Sequence, residues 1–363
     1  MKRAVFYISD VGWGHATRQI ALIKRLVDAG LEVYVRNRSA LTLLRSCFGE
    51  EIKRGVVHMD SPSSPNDPGW PSSYPIKRDE LEERIVSWIK GVDAWISEEL
   101  SFLKEACPDV VVSDAVAGAF EIAEKFGVPS VFVSNLNWYD EYRYVLGDFE
   151  LLEIFRVFYQ KATHAFILPF ESRNTVFRII ERAPLLVREV EPDRVRSIRR
   201  SLMENYRPEM IAAFTLGGFY RNEDIMRKAV KAMKEASERA RILWLLPEYV
   251  RVDGILSYSV KEPDFNSFIA ASDFVFAKCG YGVVSEAVSS RIFGVYLYRP
   301  QVLEDVCVTQ ELVLSGWGER CSMDGDYRIP LEVIFAADRD ELPRRLKGDG
   351  ASYIAERIVE KFL

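Results

Sequence analysis

The chain has 363 residues, of which 48% are hydrophobic and 28% charged, and its formal net charge is −6. The length predicts two domains, because a single hydrophobic core rarely grows beyond about 250 to 300 residues. The composition is that of a folded globular protein, and the acidic balance argues against a dedicated nucleic-acid-binding protein.

The first half alternates between strand and helix signals. Its predicted strands are nearly continuous in apolar residues, which is typical of parallel strands buried on both faces: Arg3–Ser9, Leu31–Arg36, Val110–Ser113, Ser130–Ser134 and His164–Pro169. The predicted helices lie between them, at Ala16–Ala29, Lys77–Ala106, Ala117–Phe126 and Phe149–Ala162. This alternation predicts an α/β domain with a parallel sheet over residues 1–170.

Residues 171–208 are charged and contain three prolines, and we interpret them as an interdomain region with a basic helix near Arg194–Met203. A second α/β alternation then predicts a domain over residues 209–345. Its predicted strands are Met210–Leu216, Ile242–Leu246, Ile255–Val260, Asp273–Ala277 and Gly294–Tyr298. Its predicted helices are Asn222–Ala240, Phe265–Ala271 and Val283–Ser290. Within residues 346–363, the amphipathic helix Ser352–Leu363 is expected to pack back on the first domain.

No apolar run approaches the roughly 20 residues that cross a bilayer, and the N-terminal apolar run is shorter than the core of a signal peptide. The five cysteines form no CxxC pair and are odd in number. We therefore expect a reduced, cytoplasmic protein. With three histidines and no clustered ligands, we expect no structural metal site.

Two glycine turns are the main functional signal. Gly12-Trp13-Gly14-His15 follows the first strand, and Gly280-Tyr281-Gly282-Val283 follows the strand Asp273–Ala277. Each turn places backbone N–H groups at a helix N-terminus, where anions are favoured. Two such turns, one in each half, predict two domains that face each other across a ligand-binding cleft.

The spacing of the second turn suits a nucleotide. A diphosphate accepts hydrogen bonds from the amides of Gly282 and Val283, and a carboxylate one helical turn later, Glu286, accepts bonds from two ribose hydroxyls. The structural alternative is that the glycines permit tight strand–helix packing and Glu286 complements the helix dipole. Spacing alone leaves both interpretations open.

The stretch GYGVVSEA, with FNSFIAAS before it and Tyr296–Pro300 after it, resembles the donor-nucleotide motif of GT-B glycosyltransferases. It is most similar to the MurG type, which transfers N-acetylglucosamine from UDP. The segments GWGHATR and VSNLNW also resemble the glycosyltransferase-like N-terminal region of L-arabinokinases. The resemblance spans nearly the whole chain and implies two Rossmann-like domains around a central cleft, the first binding the acceptor and the second a UDP-sugar.

The resemblance also implies donor-site residues. Glu286 matches the acid that holds the ribose, Val260 lies where related enzymes meet the base through main-chain atoms, and Gln310 corresponds to a glutamine that reads sugar hydroxyls. Glycine loops and the phosphate-facing turn supply the other donor positions: Gly12, Gly14, Gly217, Gly218, Gly280, Tyr281, Gly282 and Val283. The His-x-Asp-Arg-Gln-Gln pattern of the MurG type is replaced here by RPQVLEDVCVTQ, so the sugar is not fixed.

His15 is the candidate catalytic base. An inverting transfer needs a base near the acceptor hydroxyl, and neutral imidazole is suited to that near pH 7. Its place at the start of the first helix would face the donor site across the cleft. The alternative is a histidine that caps the helix or touches phosphate and moves no proton.

Four candidate acceptor-binding residues follow predicted strands at the edge where open α/β sheets bind ligands: Asp114, Asn135, Asn137 and Trp138. For Asp114, helix capping is the plain alternative. In the proline-rich segment 61–75, Trp70 and Tyr74 are candidates for stacking on a sugar, with an ordinary surface loop as the alternative.

Two weaker signals remain. Asp324-Gly325-Asp326 resembles the metal-binding DxD motif of another glycosyltransferase fold. That motif belongs to a different architecture, and these residues are predicted to form a turn. Trp88, Ile89 and Trp95 would form an apolar patch for a membrane-surface enzyme acting on a lipid-linked sugar, although core packing explains them more simply.

The sequence therefore predicts a metal-independent, inverting glycosyltransferase with no cofactor besides its UDP-sugar donor. N-acetylglucosamine is one candidate sugar, and the acceptor is a glycan, a lipid-linked sugar or a small molecule. Two alternatives stay open: a sugar-nucleotide 2-epimerase, and a nucleotide-sugar-binding protein without catalysis.

Overall fold

The computed structural model describes residues 1–71, 73–261, 264–337, 346 and 349–363. The chain divides into two compact units. Unit 1 comprises residues 1–187, 301–304 and 348–363, and unit 2 comprises residues 188–300 and 305–347. Across the described residues, no helix is both long and apolar enough to cross a membrane.

Unit 1 is built on a seven-stranded parallel sheet. Its strands are β1 (Arg3–Ile8), β2 (Glu32–Arg36), β3 (Val57–Asp60), β4 (Val110–Asp114), β5 (Ser130–Ser134), β6 (His164–Ile167) and β7 (Ile180–Arg182). Its helices are α1 (Gly14–Asp28), α2 (Leu41–Cys47), α3 (Gly49–Lys53), α4 (Arg78–Ala106), α5 (Gly118–Phe126), α6 (Trp138–Leu146), α7 (Glu153–Tyr159) and the C-terminal α14 (Gly350–Phe362), with a 3₁₀ turn at Glu150–Leu152.

Unit 2 carries a six-stranded parallel sheet. Its strands are β8 (Met210–Thr215), β9 (Ile242–Pro247), β10 (Ser257–Val260), β11 (Phe274–Lys278), β12 (Phe293–Tyr298) and β13 (Gly318–Ser322). The helices between residues 188 and 337 are α8 (Pro192–Tyr206), α9 (Glu223–Arg239), α10 (Phe265–Ala270), α11 (Tyr281–Ser289), α12 (Leu303–Leu314) and α13 (Leu331–Ala336), with a 3₁₀ turn at Gly217–Arg221.

The strand order places one switch point in each sheet. In unit 1 the order is β3-β2-β1-β4-β5-β6-β7, so the chain changes direction across the sheet between β1 and β4. In unit 2 the order β10-β9-β8-β11-β12-β13 places the same change between β8 and β11. Open α/β sheets bind ligands beyond the carboxyl ends of their strands at such points, and both glycine turns follow strands of these pairs.

Burial explains why the central strands form where their apolar runs predict them. Residues 4–8 of β1 and residues 110–112 of β4 have no exposed surface, as expected for strands covered on both faces. The amphipathic helix α14 packs against α1 within unit 1, where Arg25 forms an ion pair with Asp349 at 3.1 Å.

Several boundaries differ from the sequence prediction. The predicted helix Phe149–Ala162 is a 3₁₀ turn followed by the shorter α7. Pro192 does not interrupt the chain but occupies the first turn of α8, where its missing N–H is tolerated. The segment 171–208 contains β7 of the first sheet and α8 of unit 2. The sequence prediction lacks the strands β3, β7 and β13 and the helices α2, α3, α6, α12 and α13.

Candidate functional site

His15 lies in the first turn of α1, directly beyond the carboxyl end of β1. Gly12 takes a left-handed φ of +65°, which glycine adopts without strain and which lets the chain turn sharply into the helix. His15 is 7% exposed, and its Nδ1 lies 2.8 Å from Oδ1 of Asp114, the last residue of β4. The sheet register brings His15 and Asp114 together, because Ile8 at the end of β1 lies opposite Asp114 at the end of β4.

The carboxylate of Asp114 is buried and ionised. Nε of Arg18 donates to its Oδ2 at 2.6 Å, and Nε2 of Gln19 donates to the same oxygen at 2.9 Å. Burial by itself raises the pKa of Asp114, but the positive charge of Arg18 and the hydrogen bonds from Arg18 and His15 outweigh it and hold the pKa well below its usual range. Asp114 is therefore a fixed negative charge beside His15.

The same contacts favour one tautomer of His15. Nη2 of Arg18 lies 2.8 Å from Nδ1 of His15 and also contacts Oδ1 of Asp114 and Oγ of Ser134. Because an ionised carboxylate only accepts hydrogen bonds, a neutral imidazole pairs with Asp114 through its Nδ1–H, and Nε2 then keeps its lone pair. Among the described residues, Nε2 has no hydrogen-bond partner. The arrangement is that of a base with an orienting carboxylate behind it.

Asn135 belongs to this cluster. It is fully buried, and its Oδ1 accepts a bond of 2.6 Å from Nη1 of Arg18. Its Nδ2 donates a bond of 3.0 Å to Oε1 of Glu304, which also belongs to unit 1 and adds a second acidic side chain to the cluster. The structure thus brings together three of the predicted site residues: His15, Asp114 and Asn135.

Asn137 and Trp138 serve α6 instead. Asn137 is the N-cap residue, and its side chain accepts a bond from the amide of Asp140, as expected of Asn at that position. Trp138 is 1% exposed and stacks on Tyr142 at 5.2 Å between ring centroids, while its ring lies 6.3 Å from that of His15. Both residues therefore have structural roles in α6, beside the cluster that contains His15.

The second turn lies at the start of α11. Gly280 is the N-cap residue, with an extended φ of 179°, so the amides at residues 281–283 belong to the first helical turn, where no carbonyl of the helix itself can accept from them. A Cβ on Gly280 would come within 3.1 Å of Nζ of Lys278. A cation therefore stands beside the amides that the sequence assigned to a diphosphate.

Glu286, predicted to hold a ribose, is 8% exposed and has an ion-pair partner. Nε and Nη2 of Arg188 contact its Oε1 at 2.8 and 2.7 Å. Both contacts use one oxygen, and no contact of the described residues uses Oε2. A ribose hydroxyl can therefore reach Oε2 without displacing Arg188.

Gly12 and Gly14 lie in unit 1, at the turn into α1, and the other donor positions lie in unit 2. Gly217 and Gly218 form a 3₁₀ turn after β8, and a Cβ on either glycine would meet no atom within 4 Å. Val260 ends β10, and its carbonyl accepts a bond of 2.9 Å from the amide of Glu248. Gln310 is exposed on α12, on the face away from the buried side chains of Asp305 and Thr309.

The weaker candidates find plain structural roles. Trp88 and Trp95 are 9% and 2% exposed and belong to the core of unit 1, so they form no surface patch for a membrane. Trp70 packs edge-on against Trp138 and Tyr142, and Tyr74 lies partly buried in the loop. The residues Asp324–Asp326 form a turn after β13, and among the described residues no group of three or more potential ligands could hold a metal ion.

The whole fold has close structural counterparts. Arabidopsis thaliana UGT89C1 in complex with UDP-L-rhamnose is 15% identical to this chain with a TM-score of 0.66, over 99% of this chain and 98% of that one. The glycotransferase of kitacinnamycin is 14% identical with a TM-score of 0.63, over 99% of both chains. The chain has the GT-B glycosyltransferase fold.

The sequence comparisons reach less far. No family model matches the chain. An L-arabinokinase from Arabidopsis thaliana is 26% identical over 311 residues, which cover 83% of this chain and 28% of that protein. The chain thus spans little more than a quarter of the length of this curated relative.

Within this GT-B chain, sequence reasoning missed four charged residues of the two sites: Arg18, Glu304, Arg188 and Lys278. Arg18 had a usable signal, because it lies three residues after His15 and residues at that spacing share one face of a helix. Lys278 directly precedes Cys279 and Gly280, so its position in the sequence also indicates that it lies next to the second glycine turn. Arg188 is 98 residues from Glu286, and no local sequence pattern predicts the ion pair between them.

Proposed function

We propose that this chain is an inverting, metal-independent glycosyltransferase that uses a nucleotide diphosphate sugar, UDP-linked, as donor. One observation carries the proposal: an ionised, buried Asp114 receives the Nδ1–H of His15 and leaves the Nε2 lone pair available. The fold is one in which solved relatives hold UDP-sugars, as the UDP-L-rhamnose complex of UGT89C1 illustrates.

In the proposed reaction, Nε2 of His15 takes the proton of an acceptor hydroxyl while its oxygen attacks the anomeric carbon. The bond from that carbon to the diphosphate oxygen breaks on the opposite side, which inverts the configuration. Asp114 stabilises the imidazolium that forms, as an orienting carboxylate does in hydrolase triads. Arg18 keeps Asp114 ionised and fixed, so the pair needs no rearrangement during transfer.

The donor half of the proposal rests on α11. The amides of its first turn, at residues 281–283, and the ammonium of Lys278 would receive the departing diphosphate, which supports a reaction without a metal ion. Oε2 of Glu286 would bind the ribose, and the main chain at Val260 would meet the base. Gly217 and Gly218 leave space for a diphosphate to approach the backbone closely.

The finer points belong to the same proposal. N-acetylglucosamine is the sugar we favour, because residues 280–287 resemble the MurG-type motif, although residues 301–310 depart from it. The cytoplasm is the compartment we favour, because no disulfide joins any of the five cysteines, all of which lie in the described part of the chain.

Thermal unfolding in the presence of UDP-, GDP- and dTDP-sugars tests the donor. A ligand at a hundred times its Kd stabilises the native state by about 2.7 kcal/mol, so the UDP-sugars should raise Tm and the others should not. Equal or absent shifts across the panel would contradict the proposal.

Incubation with UDP-N-acetylglucosamine alone separates transfer from epimerisation. A transferase leaves the configuration of the sugar at C2 unchanged, whereas a 2-epimerase converts it without any acceptor. Conversion in the absence of acceptor would replace the proposal with the epimerase alternative, and ¹H NMR of the sugar detects it.

A further inference from the structure

One hydroxyl group, that of Tyr159, joins the segments that follow two neighbouring strands of unit 1. Tyr159 is the last residue of α7, has no exposed surface and belongs to the hydrophobic core of this unit. Its hydroxyl donates to the carbonyl of Ala115 at 2.6 Å and accepts from the amide of Trp138 at 3.1 Å. Ala115 follows β4 and Trp138 begins α6 after β5, so one side chain links the ends of these paired strands.

These two segments also carry partners of Arg18. Ala115 directly follows Asp114, whose carboxylate accepts from Arg18. Trp138 lies three residues after Asn135, whose Oδ1 accepts from the same guanidinium group. The hydroxyl therefore binds the backbone close to both acceptors that Arg18 bridges.

The first of the two bonds holds a strained residue. Ala115 is fully buried and takes a left-handed φ of +64°, which is unfavourable for a residue with a Cβ. Such a conformation persists only where surrounding contacts hold it. The bond from Tyr159 to the Ala115 carbonyl is one of these contacts, and it acts on the residue that directly follows Asp114.

The second bond satisfies an amide at the start of α6. Asn137 is the N-cap residue of this helix, so the amide of Trp138 lies in the first turn, where no helical carbonyl can accept from it. The hydroxyl of Tyr159 accepts from it instead. This bond fixes the start of α6 directly after the segment that carries Asn135.

Packing and protonation suit Tyr159 to this role. Its ring lies edge-on to Phe132 of β5 and to Phe177, at 6.0 and 5.5 Å between ring centroids. Burial raises the pKa of the Tyr159 hydroxyl well above its usual range, although the bond from the amide of Trp138 lowers it in part. The hydroxyl therefore stays protonated near neutral pH, and it can donate one hydrogen bond and accept another.

We propose that Tyr159 is a positioning residue for the His15 site. By holding the backbone beside both acceptors, it keeps Asp114 and Asn135 at the spacing that Arg18 bridges. Because Asp114 orients the imidazole of His15, a change in this spacing would move the carboxylate away from Nδ1. The inference rests on the proposed function, in which His15 is the base.

Tyr159→Phe removes the hydroxyl and keeps the ring, and Tyr142→Phe is the matched control. Tyr142 is also fully buried and donates to a backbone carbonyl, that of Gly69, at 3.3 Å. Each variant leaves one buried carbonyl without its donor, so both should lower Tm. Only Tyr159→Phe should disturb the contact between His15 and Asp114.

Two-bond ¹H–¹⁵N NMR spectra of the histidine rings report each tautomer without any ligand, and the signals of His15 are those lost in His15→Ala. The wild type should show the Nδ1–H tautomer, because the contact with Asp114 holds the proton on Nδ1. Tyr159→Phe should show a mixture with the Nε2–H tautomer, and Tyr142→Phe should match the wild type. An equal change in the control would overturn the inference.

The same spectra keep the two proposals apart. An Nε2–H tautomer at His15 in the wild type would contradict the proposed base as well. An Nδ1–H tautomer that survives unchanged in Tyr159→Phe would overturn only this inference.

Ala115→Gly tests the link through the strained turn. Glycine adopts a left-handed φ without strain, so this variant should keep the wild-type tautomer. Added to Tyr159→Phe, it should restore most of the Nδ1–H tautomer, while Tm stays low because a buried carbonyl still lacks its donor. A double variant with the same tautomer mixture as Tyr159→Phe would overturn the inference.

Discussion

The two glycine turns each follow a strand that borders the switch point of its sheet, β1 in unit 1 and β11 in unit 2, and they are built differently. The turn before α1 positions a side chain, His15, which buried charges at Asp114 and Arg18 hold in one orientation. The turn before α11 presents main-chain amides, with Lys278 beside them. In the proposed function, a strand–turn–helix unit thus serves proton transfer in unit 1 and anion binding in unit 2.

This contrast predicts which substitutions are tolerated. A site made of buried, mutually dependent side chains loses function when one member changes, because the partner is left unpaired. A site made of amides depends on the backbone and tolerates changes in many side chains. Each of the following substitutions tests one side of this comparison.

The largest effect is expected from His15→Ala. Removing a general base lowers kcat by about 10² to 10⁴-fold, and UDP affinity should stay within about twofold because the residues proposed to hold the ribose, the base and the departing diphosphate lie in unit 2. Steady-state kinetics and calorimetry measure the two quantities. His58→Ala is the control, because His58 pairs with Glu32 on β2. A normal kcat in His15→Ala would show that another group takes the proton.

Asp114→Asn should lower kcat by at least about 10²-fold, because the neutral side chain no longer holds the reactive tautomer. It should also change the pH dependence of stability. The pKa of Asp114 is lowered by folding, so its stabilisation is present above the unfolded pKa of about 3.9 and is lost as pH falls below it.

Chemical denaturation from neutral pH down to about pH 2 measures this dependence. The contribution of Asp114 should stay constant above about pH 5 and fall as pH drops below the unfolded pKa of about 3.9 toward the lower folded pKa. Asp114→Asn should lack this part of the fall while being less stable at neutral pH. Identical pH profiles would mean that Asp114 is not the fixed charge described above.

A smaller effect is expected from Glu286→Gln. The loss of one charge-assisted hydrogen bond should weaken UDP binding by about tenfold or more. The variant should lose its preference for UDP over 2′,3′-dideoxy-UDP, which lacks the ribose hydroxyls. If the preference survives in the variant, the ribose is held elsewhere, and Glu286 serves only to pair with Arg188.

The central strands were predictable from sequence because their runs of apolar residues are buried on both faces. Three strands escaped prediction, and β3, β7 and β13 all lie at sheet edges. β7 has no buried residue, and β3 and β13 each have one. Edge strands are covered on fewer sides, so their sequences carry less of the apolar pattern.

The sequence places the site residues at the ends of strands, but it does not show which of them contact each other. His15 and Asp114 each follow or end a predicted strand, and the sheet register that joins them across 99 residues is a tertiary fact. Asn137 and Trp138 were assigned to the acceptor because α6 was not predicted, and their burial follows from its packing.

Hydrogen–deuterium exchange with saturating UDP tests the central claim most directly, because it reads the amides themselves. The account predicts slower exchange at residues 281–283 of α11 and near Gly217 and Gly218, with no such change on adding uridine, which lacks the diphosphate. Unchanged exchange at residues 281–283 in the presence of saturating UDP would contradict the assignment of this turn as the diphosphate site.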